Sequence, residues 1–304
     1  MIRRAVKERL HPRNRFRAGY DFPGLIACSP ALAPFVAPNA YGDPSVDYAD
    51  PAAVKALNQG LLGSAYGLNA WDVPPGYLCP PIPGRSDYLH YLADLIGAAA
   101  GSAGFRRGAV AVLDIGTGAS CIYPLIGASE YGWRFVGSEI DPVALRWARG
   151  LVAAHSAVAD LIECRLQTSP PECFTGVVHA GEVFDLSMCN PPFHTSAEEA
   201  AAGSRQKRRH LGGTGRATAA LNFGGTDGEL WCDGGELAFV RRMIAQSAER
   251  PAQCRWFTTL VSKSEHLPRL YQSLREVGAV EVRTIEMAHG QKKSRILAWT
   301  FTRR

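Results

Sequence analysis

Short apolar runs alternate with amphipathic segments through the second half of the chain. The apolar runs predict four buried strands, at 110–115, 134–140, 160–166 and 184–190. Helical patterns separate the first three strands, near 120–131 and 142–155. The second of these begins with Asp141 and Pro142, a typical N-cap followed by a first-turn proline. Strands that alternate with helices predict βαβ units and a buried parallel sheet.

The last part of the chain adds two helices and three strands to this pattern. Helices are predicted near 234–249 and 265–277, with a strand at 255–262 between them. Two β-rich runs follow, at 280–287 and 294–302, joined by a tight connection at 290–293. This spacing is typical of an antiparallel hairpin. The predicted fold class is therefore α/β, with a mostly parallel sheet and an antiparallel last strand.

Residues 1–85 form a front segment whose composition differs from that of the rest of the chain. It is basic first and then rich in proline and aromatic residues, with one predicted helix at about 51–63. The stretch 74–85 carries five prolines, which predict an ordered, extended path without regular structure. A further helix is expected from 87 to 97. We therefore predict an N-terminal extension at 1–85 and a second domain at 86–304.

Positive charge is concentrated in two places. The chain carries a net charge of +5, yet residues 1–20 alone hold seven Lys or Arg and one acid. Residues 203–216 hold five Lys or Arg and no acid, within a Gly-rich interval at 194–233 that shows no convincing element. Two basic clusters on an otherwise mildly acidic chain predict a polyanionic partner, with nucleic acid favoured over a purely protein partner.

Other sequence features bear on membrane insertion, metal binding and cellular location. No apolar run approaches the ~18 residues of a membrane span, and no apolar segment follows the basic N-terminus. The eight cysteines form no C-x-x-C pair, and the histidines show no metal-ligand spacing. We expect buried free thiols, no metal site and a cytoplasmic location.

The first strand ends in a motif suited to a cationic ligand. Asp114 precedes a turn with Gly116 and Gly118, and a helix follows. Cys121 replaces the third glycine of the dinucleotide-binding fingerprint, and the Asp114 carboxylate would repel a pyrophosphate, so a dinucleotide site is disfavoured. The same carboxylate suits S-adenosylmethionine, which carries an ammonium and a sulfonium and no phosphate. The alternative is an ordinary tight strand–helix turn.

Two further motifs follow the second and fourth strands. Glu139 is placed to accept hydrogen bonds from ribose hydroxyls, as in NAD and S-adenosylmethionine sites. Asn190 begins the tetrapeptide 190–193, Asn-Pro-Pro-Phe, at the predicted carboxyl edge of the sheet. Its amide oxygen and a proline carbonyl can accept from an exocyclic amine, while Phe193 can stack on a flat base. The motif predicts methyl transfer to an amino nitrogen, against the alternative of an ordinary Asx/Pro turn.

In this order, the motifs resemble those of class I, Rossmann-like methyltransferases that act on amino nitrogens. More narrowly, the chain resembles the adenine-N6 methyltransferases of large-subunit (23S) ribosomal RNA, the RlmF family, and is similar to eukaryotic N6-adenosine methyltransferases of structured RNAs. The stretches that carry the resemblance are HPRNRF (11–16), YDF (20–22), DYADPAAVKALN (47–58), WDVPPGYLCPPIPGRSDYLHYLADL (71–95), LDIGTGASCIYPLIG (113–127), CNPPFH (189–194), LNFGG (221–225), ELWCDGGE (229–236) and WFTTLVSK (256–263).

The resemblance implies a role for each matching residue. The cofactor-binding set is Arg85 at the methionine carboxylate, Asp114 near the ammonium, Gly116, Gly118 and Ser120 at the amino-acid end, Glu139 at the ribose and Thr168 near the adenine. The catalytic set, which would hold the target adenine, is Asn190, Pro191, Pro192 and Phe193. The RNA-binding set is drawn from the two basic clusters and consists of Arg13, Arg15, Arg17, Lys207, Arg208 and Arg209; of these clusters, the resemblance covers only the segment 1–20, which matches the front end of the family. One departure concerns Gln167, which stands where the family has lysine and places the adenine-end contacts in question.

The predicted function is methyl transfer from S-adenosylmethionine to N6 of one adenosine in 23S ribosomal RNA, free or in a precursor particle. Residues 1–85 would then be an RNA-binding extension and 86–304 the methyltransferase domain. Two alternatives stay open. The same chemistry could act on another structured RNA, on DNA or on a protein amide, because the tetrapeptide serves all of these. The chain could also be a non-catalytic ribosome-assembly protein that binds RNA.

Overall fold

The computed structural model describes residues 10–97, 106–196, 198–199, 225, 227–289 and 292–303. In these residues a seven-stranded sheet forms the centre of the molecule. Its strands are β3 (Ala111–Ile115), β4 (Arg134–Glu139), β5 (Ile162–Leu166), β6 (Phe184–Cys189), β7 (Cys254–Val261), β8 (Glu281–His289) and β9 (Lys292–Thr300). A separate two-stranded hairpin joins β1 (Val36–Pro38) to β2 (Pro44–Val46).

The order of the strands creates a crevice at the centre of the sheet. They lie in the order β5-β4-β3-β6-β7-β9-β8, and β3 to β7 pair in parallel. Within the seven-stranded sheet of the described residues, only β9 runs against its neighbours, β7 and β8, which confirms the predicted α/β fold with an antiparallel last strand. The chain builds outward from β3 to β5 and then returns to place β6 on the other side of β3. Ligands bind at such a switch point, at the carboxyl ends of the strands.

Helices cover both faces of the sheet. They are α1 (Phe22–Cys28), α2 (Pro51–Tyr66), α3 (Ile82–Leu95), α4 (Ile122–Tyr131), α5 (Pro142–Ala154), α6 (Asp227–Leu230), α7 (Gly235–Ala248) and α8 (Leu267–Glu276). Successive side chains of β3 point to opposite faces. Val112 belongs to a buried cluster that includes Leu61 of α2 and Leu125 of α4. Leu113 belongs to a second cluster, with Val240 of α7.

Most predicted elements lie within one to three residues of the observed bounds, with two notable differences. Residues 160–161 belong to a short 3₁₀ turn rather than to a strand. Residues 82–85, predicted to be irregular, form the first turn of α3. Pro83 is compatible with this turn because a first-turn N–H has no partner within the helix. Since α3 crosses the predicted domain boundary, the division of the chain after residue 85 stays a prediction.

The front segment docks on α3 through buried polar contacts. The His11 backbone N–H and the Asn14 side-chain amide both donate to the carboxylate of Asp87, which is 1% exposed. Burial raises the pKa of Asp87 to about 6, and these two hydrogen bonds oppose that rise. The Asn14 amide also donates to the Pro83 carbonyl at 2.9 Å. The basic segment that begins the described chain is therefore part of the fold.

We expect Asn14→Ala to lower the free energy of unfolding by ~2 kcal/mol, because it leaves a buried carboxylate without one of its donors. Asn39→Ala serves as the matched control, since Asn39 is an exposed amide that caps a hairpin turn. We expect Asn39→Ala to lower the free energy of unfolding by about 1 kcal/mol, because it removes a turn cap whose exposed donors can bond to water instead. Urea denaturation measures both values, and equal losses would contradict the structural role of Asn14.

Candidate active site

A cavity of about 370 Å³ opens at the carboxyl ends of β3, β4 and β6. Its walls bring together residues that were predicted from separate motifs: Arg85, Gly116, Gly118, Ser120, Glu139, Asn190 and Pro192. These residues come together because the strands are parallel and in register: Ile115, at the end of β3, lies beside both Ser138 of β4 and Cys189 of β6. The predicted motifs therefore form a single site.

The turn after β3 requires glycine at two positions. Gly116 has φ +77° and Gly118 has φ +66°, in the left-handed region that favours glycine. The backbone N–H groups of Gly116 and Thr117 donate to the Ser138 carbonyl at 3.0 and 2.8 Å. This anchors the turn to β4 and keeps its backbone against the cavity.

Glu139 is fixed by three backbone donors. One carboxylate oxygen, Oε1, accepts from the N–H groups of Ile140 and Asp141, at 2.8 and 2.9 Å. The other, Oε2, accepts from the Gly118 N–H at 2.8 Å. Burial raises the pKa of Glu139, and the backbone donors oppose that rise. The carboxylate is thus held rigidly at the end of β4, with limited acceptor capacity left for a ligand.

Asp114 is a buried carboxylate suited to a cation. It is fully buried beneath the turn, and neither carboxylate oxygen is hydrogen-bonded within the described residues. Burial raises the pKa of Asp114 to about 7, and the nearby Thr117 hydroxyl and Arg85 guanidinium offset only part of the rise. Such an unsatisfied buried acid is stabilised by a cationic group placed near it.

Arg85 supplies the opposite charge at the cavity. Its Nη1 donates to the Tyr123 hydroxyl at 2.6 Å, and the guanidinium lies 5.3 Å from the centre of that ring. The Nε atom is buried and has no hydrogen-bond partner in the described part of the chain. The cavity wall therefore offers a guanidinium to a carboxylate, while Asp114 lies buried behind the wall and does not line the cavity, so its charge could favour an ammonium only through the turn. A carboxylate and an ammonium are the two charged ends of an amino-acid moiety.

Asn190 stands at the end of β6, half-buried on the cavity wall with Pro192. The strand end is fixed from behind by Tyr88, whose hydroxyl accepts from the Cys189 N–H at 3.4 Å and contacts the Thr258 hydroxyl at 2.8 Å. Pro191 and Phe193 adjoin Asn190 but do not line the cavity. The amide is thus presented to the space that Arg85 and Glu139 also face.

Comparison with known proteins identifies the family. A family model described as RNA methyltransferase matches residues 4–303. The chain belongs to this RNA methyltransferase family. It is 54% identical over 296 residues to the ribosomal RNA large subunit methyltransferase F of Serratia proteamaculans, covering 97% of the chain and 88% of that protein. It is 55% identical over 295 residues to the Pectobacterium carotovorum protein of the same name, covering 97% and 94%.

Solved structures agree with the family. The human METTL16 catalytic domain in complex with the MAT2A 3′UTR hairpin 1 superposes with a TM-score of 0.81 at 32% identity, covering 96% of both chains. The N-terminal domain of human METTL16 in complex with SAH has a TM-score of 0.75 at 30% identity, covering 97% and 99%. The RNA methyltransferase described here uses S-adenosylmethionine as its cofactor, and the charges of Arg85 and Asp114 fit the amino-acid end of that molecule.

At the predicted adenine end, the methyltransferase places Gln167 rather than Thr168 on the cavity wall. Gln167 is buried, donates to the Thr175 carbonyl at 2.9 Å and accepts from the Ser169 N–H. Thr168 is exposed and does not line the cavity. The alternation of side chains beyond β5 turns Gln167 inward, so Thr168 stays only a predicted contact.

Two of the predicted RNA-binding arginines, Arg13 and Arg15, form ion pairs within the methyltransferase. Arg13 pairs with Asp94 at 2.7 Å, and Arg15 pairs with Glu130 at 2.8 Å. Arg17 is half-buried, and its Nε has no hydrogen-bond partner among the described residues. The remaining members of the set, Lys207, Arg208 and Arg209, lie outside the described residues. Binding of RNA by any of the six stays a prediction.

Sequence reasoning assigned no role to the segment 229–233, which we call the cover segment. Glu229, Trp231, Cys232 and Asp233 all line the cavity. The segment begins in the last half of α6, and its Trp231 forms an isolated bridge with His194, so the interval predicted to lack elements contains some. ELWCDGGE contributed to the family resemblance, but no motif chemistry pointed to its residues individually.

Within the described ranges, the methyltransferase contains no group of three His, Cys, Asp or Glu side chains placed to hold a metal ion. Every described helix is too short or too polar to cross a bilayer. All eight cysteines are free thiols.

The high pKa of Asp114 predicts a pH-dependent affinity for the cofactor. An ammonium group favours the ionised carboxylate, so binding below about pH 7 must expel a proton from Asp114. We expect the Kd of the cofactor to fall as pH rises from about 5.5 to 7.5 and then to level off. Isothermal titration calorimetry across that range measures it.

Asp114→Asn should make the Kd of the cofactor nearly independent of pH and should raise that Kd at pH 7.5.

The same substitution should stabilise the ligand-free protein at high pH. The folded-state pKa of Asp114 is raised, so the carboxylate opposes folding once pH exceeds its unfolded value of about 3.9, and most strongly above about 7. If the cofactor Kd and the free energy of unfolding depended on pH equally in the wild type and in Asp114→Asn, the raised pKa of Asp114 and its role toward the ammonium would be contradicted.

Proposed function

We propose that this methyltransferase transfers the methyl group of S-adenosylmethionine to N6 of a specific adenosine in 23S ribosomal RNA. The observation that carries the proposal is the position of Asn190 and Pro192 on the wall of the cavity that also holds Arg85 and Glu139. The high identity to proteins named ribosomal RNA large subunit methyltransferase F supports the choice of RNA.

The residues of the motif act on an amine that is a weak nucleophile because its lone pair is conjugated to the ring. S-adenosylmethionine supplies an electrophilic methyl group on sulfur. The Asn190 amide oxygen and a neighbouring proline carbonyl accept the two amine hydrogens, which draws electron density to nitrogen and fixes its direction. The proton leaves after transfer, so no strong base is needed beforehand. Phe193 offers a face on which the base can stack.

The target adenosine must leave its stack for its amine to reach the cavity. Enzymes that modify a base take it from a loop or extrude it from a helix. We therefore propose an unpaired or splayed adenosine, presented by 23S RNA or by a precursor particle in the cytoplasm.

A second candidate is another structured RNA. The observation that favours it is the 32% identity to the METTL16 catalytic domain, whose solved complex contains a 3′UTR hairpin. The two candidates share the same site chemistry and differ only in the RNA that is bound.

Product analysis separates the candidates. The enzyme is incubated with the cofactor and with unmodified 23S RNA, 16S RNA or an unrelated hairpin, and the nucleosides are identified by mass spectrometry after digestion. The proposal predicts N6-methyladenosine in 23S RNA alone. Methylation of the hairpin at an equal rate favours the second candidate. A methylated cytosine, or no product in any of these RNAs and in a precursor particle that carries unmodified 23S RNA, would contradict both.

A further inference from the structure

The cover segment is attached to both sides of the cavity. On one side, the Leu78 N–H donates to the Glu229 carboxylate at 3.1 Å, and the Gly225 N–H, four residues before the cover segment, donates to the Gly76 carbonyl at 2.8 Å. On the other side, the His194 N–H donates to the Leu230 carbonyl, and the Cys232 N–H donates back to the His194 carbonyl, both at 3.1 Å. The segment therefore lies across the site between the Pro-rich stretch and the Asn-Pro-Pro-Phe motif.

Glu139 lacks the acceptor capacity for both hydroxyls of a ribose. A carboxylate offers about four lone-pair positions. Three are taken by the N–H groups of Gly118, Ile140 and Asp141. One position remains, on the oxygen that faces Gly118. A nucleoside ribose presents two hydroxyl groups, so the second needs another acceptor on the cavity wall.

Glu229 is a second carboxylate beside the same glycine. Its Oε1 lies 3.5 Å from the point where a Cβ on Gly118 would stand, and the Gly118 N–H itself donates to Glu139. The two acids are close enough for the charge of Glu229 to raise the pKa of Glu139. Both line the cavity. Glu229 thus presents carboxylate oxygens to the region around Gly118 that Glu139 faces from β4.

Other acids of the region are less suited. Asp141 accepts from the Val143 N–H at 2.7 Å and from the Tyr77 hydroxyl at 2.6 Å, and it does not line the cavity. Glu172 and Asp233 line the cavity near the Cys173 and Cys232 thiols respectively, and neither lies within 4 Å of a Cβ built on Gly118.

We infer that Glu229 is a further cofactor-binding residue, which accepts a hydrogen bond from the ribose hydroxyl that Glu139 cannot serve. The same carboxylate holds the Leu78 N–H, so a bound nucleoside links the cover segment to the Pro-rich stretch. This role is independent of which RNA is methylated, and it can be measured without RNA.

Calorimetric binding of two ligands tests the inference. S-adenosylhomocysteine carries an adenosine and an amino-acid group, whereas 5′-methylthioadenosine carries the adenosine, with its two ribose hydroxyls, and lacks the amino-acid group. Glu229→Gln preserves the size of the side chain and an acceptor for Leu78 but removes the charge. We expect both Kd values to rise by the same factor, about fivefold to tenfold, because a hydrogen bond to a charged group is replaced by a weaker one. Glu172→Gln is the matched control, with expected changes below about twofold.

Three results would overturn the inference. One is an unchanged affinity for both ligands in Glu229→Gln. Another is a loss confined to S-adenosylhomocysteine, which would place Glu229 at the amino-acid end. The third is an equal loss in Glu172→Gln, which would indicate a general effect of cavity charge. Circular dichroism and the melting temperature of each variant establish that the fold is intact.

Discussion

Asn190→Ala is expected to lower the single-turnover rate of methyl transfer by about 10²- to 10³-fold, the range seen when a positioned polar group at a reacting centre is removed. The reason is geometric. The amide at the end of β6 accepts from the amine and directs its lone pair, and alanine removes this acceptor without disturbing the wall formed by Arg85 and Glu139. Cofactor binding, measured by calorimetry, should change by less than about threefold.

Two controls separate this effect from misfolding. Asn69→Ala removes an exposed amide elsewhere and should keep the wild-type rate. Thr258→Val removes a hydroxyl that contacts the Tyr88 hydroxyl behind the strand end, so it should cost less than the direct loss of Asn190. A wild-type rate in Asn190→Ala, or a rate loss that follows a loss of cofactor affinity, would contradict a role in holding the target amine.

Arg85→Ala is expected to weaken cofactor binding by about 30- to 100-fold, which corresponds to ~2–3 kcal/mol for the loss of a charge-assisted pair. The guanidinium is half-buried on the cavity wall, and its Nε has no partner within the described residues. A ligand carboxylate would satisfy it. Arg85→Lys keeps the charge but loses the planar fork, so about tenfold weakening is expected.

The ligand pair used for Glu229 makes this prediction specific. Arg85→Ala should leave the affinity for 5′-methylthioadenosine unchanged, because that molecule has no carboxylate. Tyr123→Phe removes only the hydroxyl that accepts from Nη1 at 2.6 Å, and a loss of a few-fold is expected. If Arg85→Ala weakened both ligands equally, the guanidinium would shape the cavity rather than bind the amino-acid end.

The arrangement of the sheet could be predicted because its strands are continuous apolar runs with clear boundaries. Four parallel strands in the chain order of β3 to β6 bring their carboxyl ends to one edge, so Gly116, Glu139 and Asn190 had to meet there. The start of α3 could not be predicted from the five prolines nearby. Proline is compatible with both an extended path and the first helical turn, and the packing of the chain decides between them.

Contacts between distant parts of the chain could not be predicted from local pattern. Glu229 reaches Leu78 across 151 positions, and although both lie in stretches that carry the family resemblance, no motif chemistry assigns a role to either residue. Arg13 and Arg15 belong to a basic cluster that predicts a polyanion, yet they pair with Asp94 and Glu130 of the same chain. Charge along a sequence shows how much positive charge is present and leaves open whether the fold itself neutralises it.

The most direct test of the central claim uses radiolabelled S-adenosylmethionine and unmodified 23S ribosomal RNA. The wild-type protein and Asn190→Ala are compared under identical conditions, on free RNA, on a precursor particle and on the mature subunit. We expect the wild type to label at least one of these substrates, the label to be recovered as N6-methyladenosine, and Asn190→Ala to lose nearly all of it. No label in any substrate, or equal labelling by Asn190→Ala, would contradict that claim.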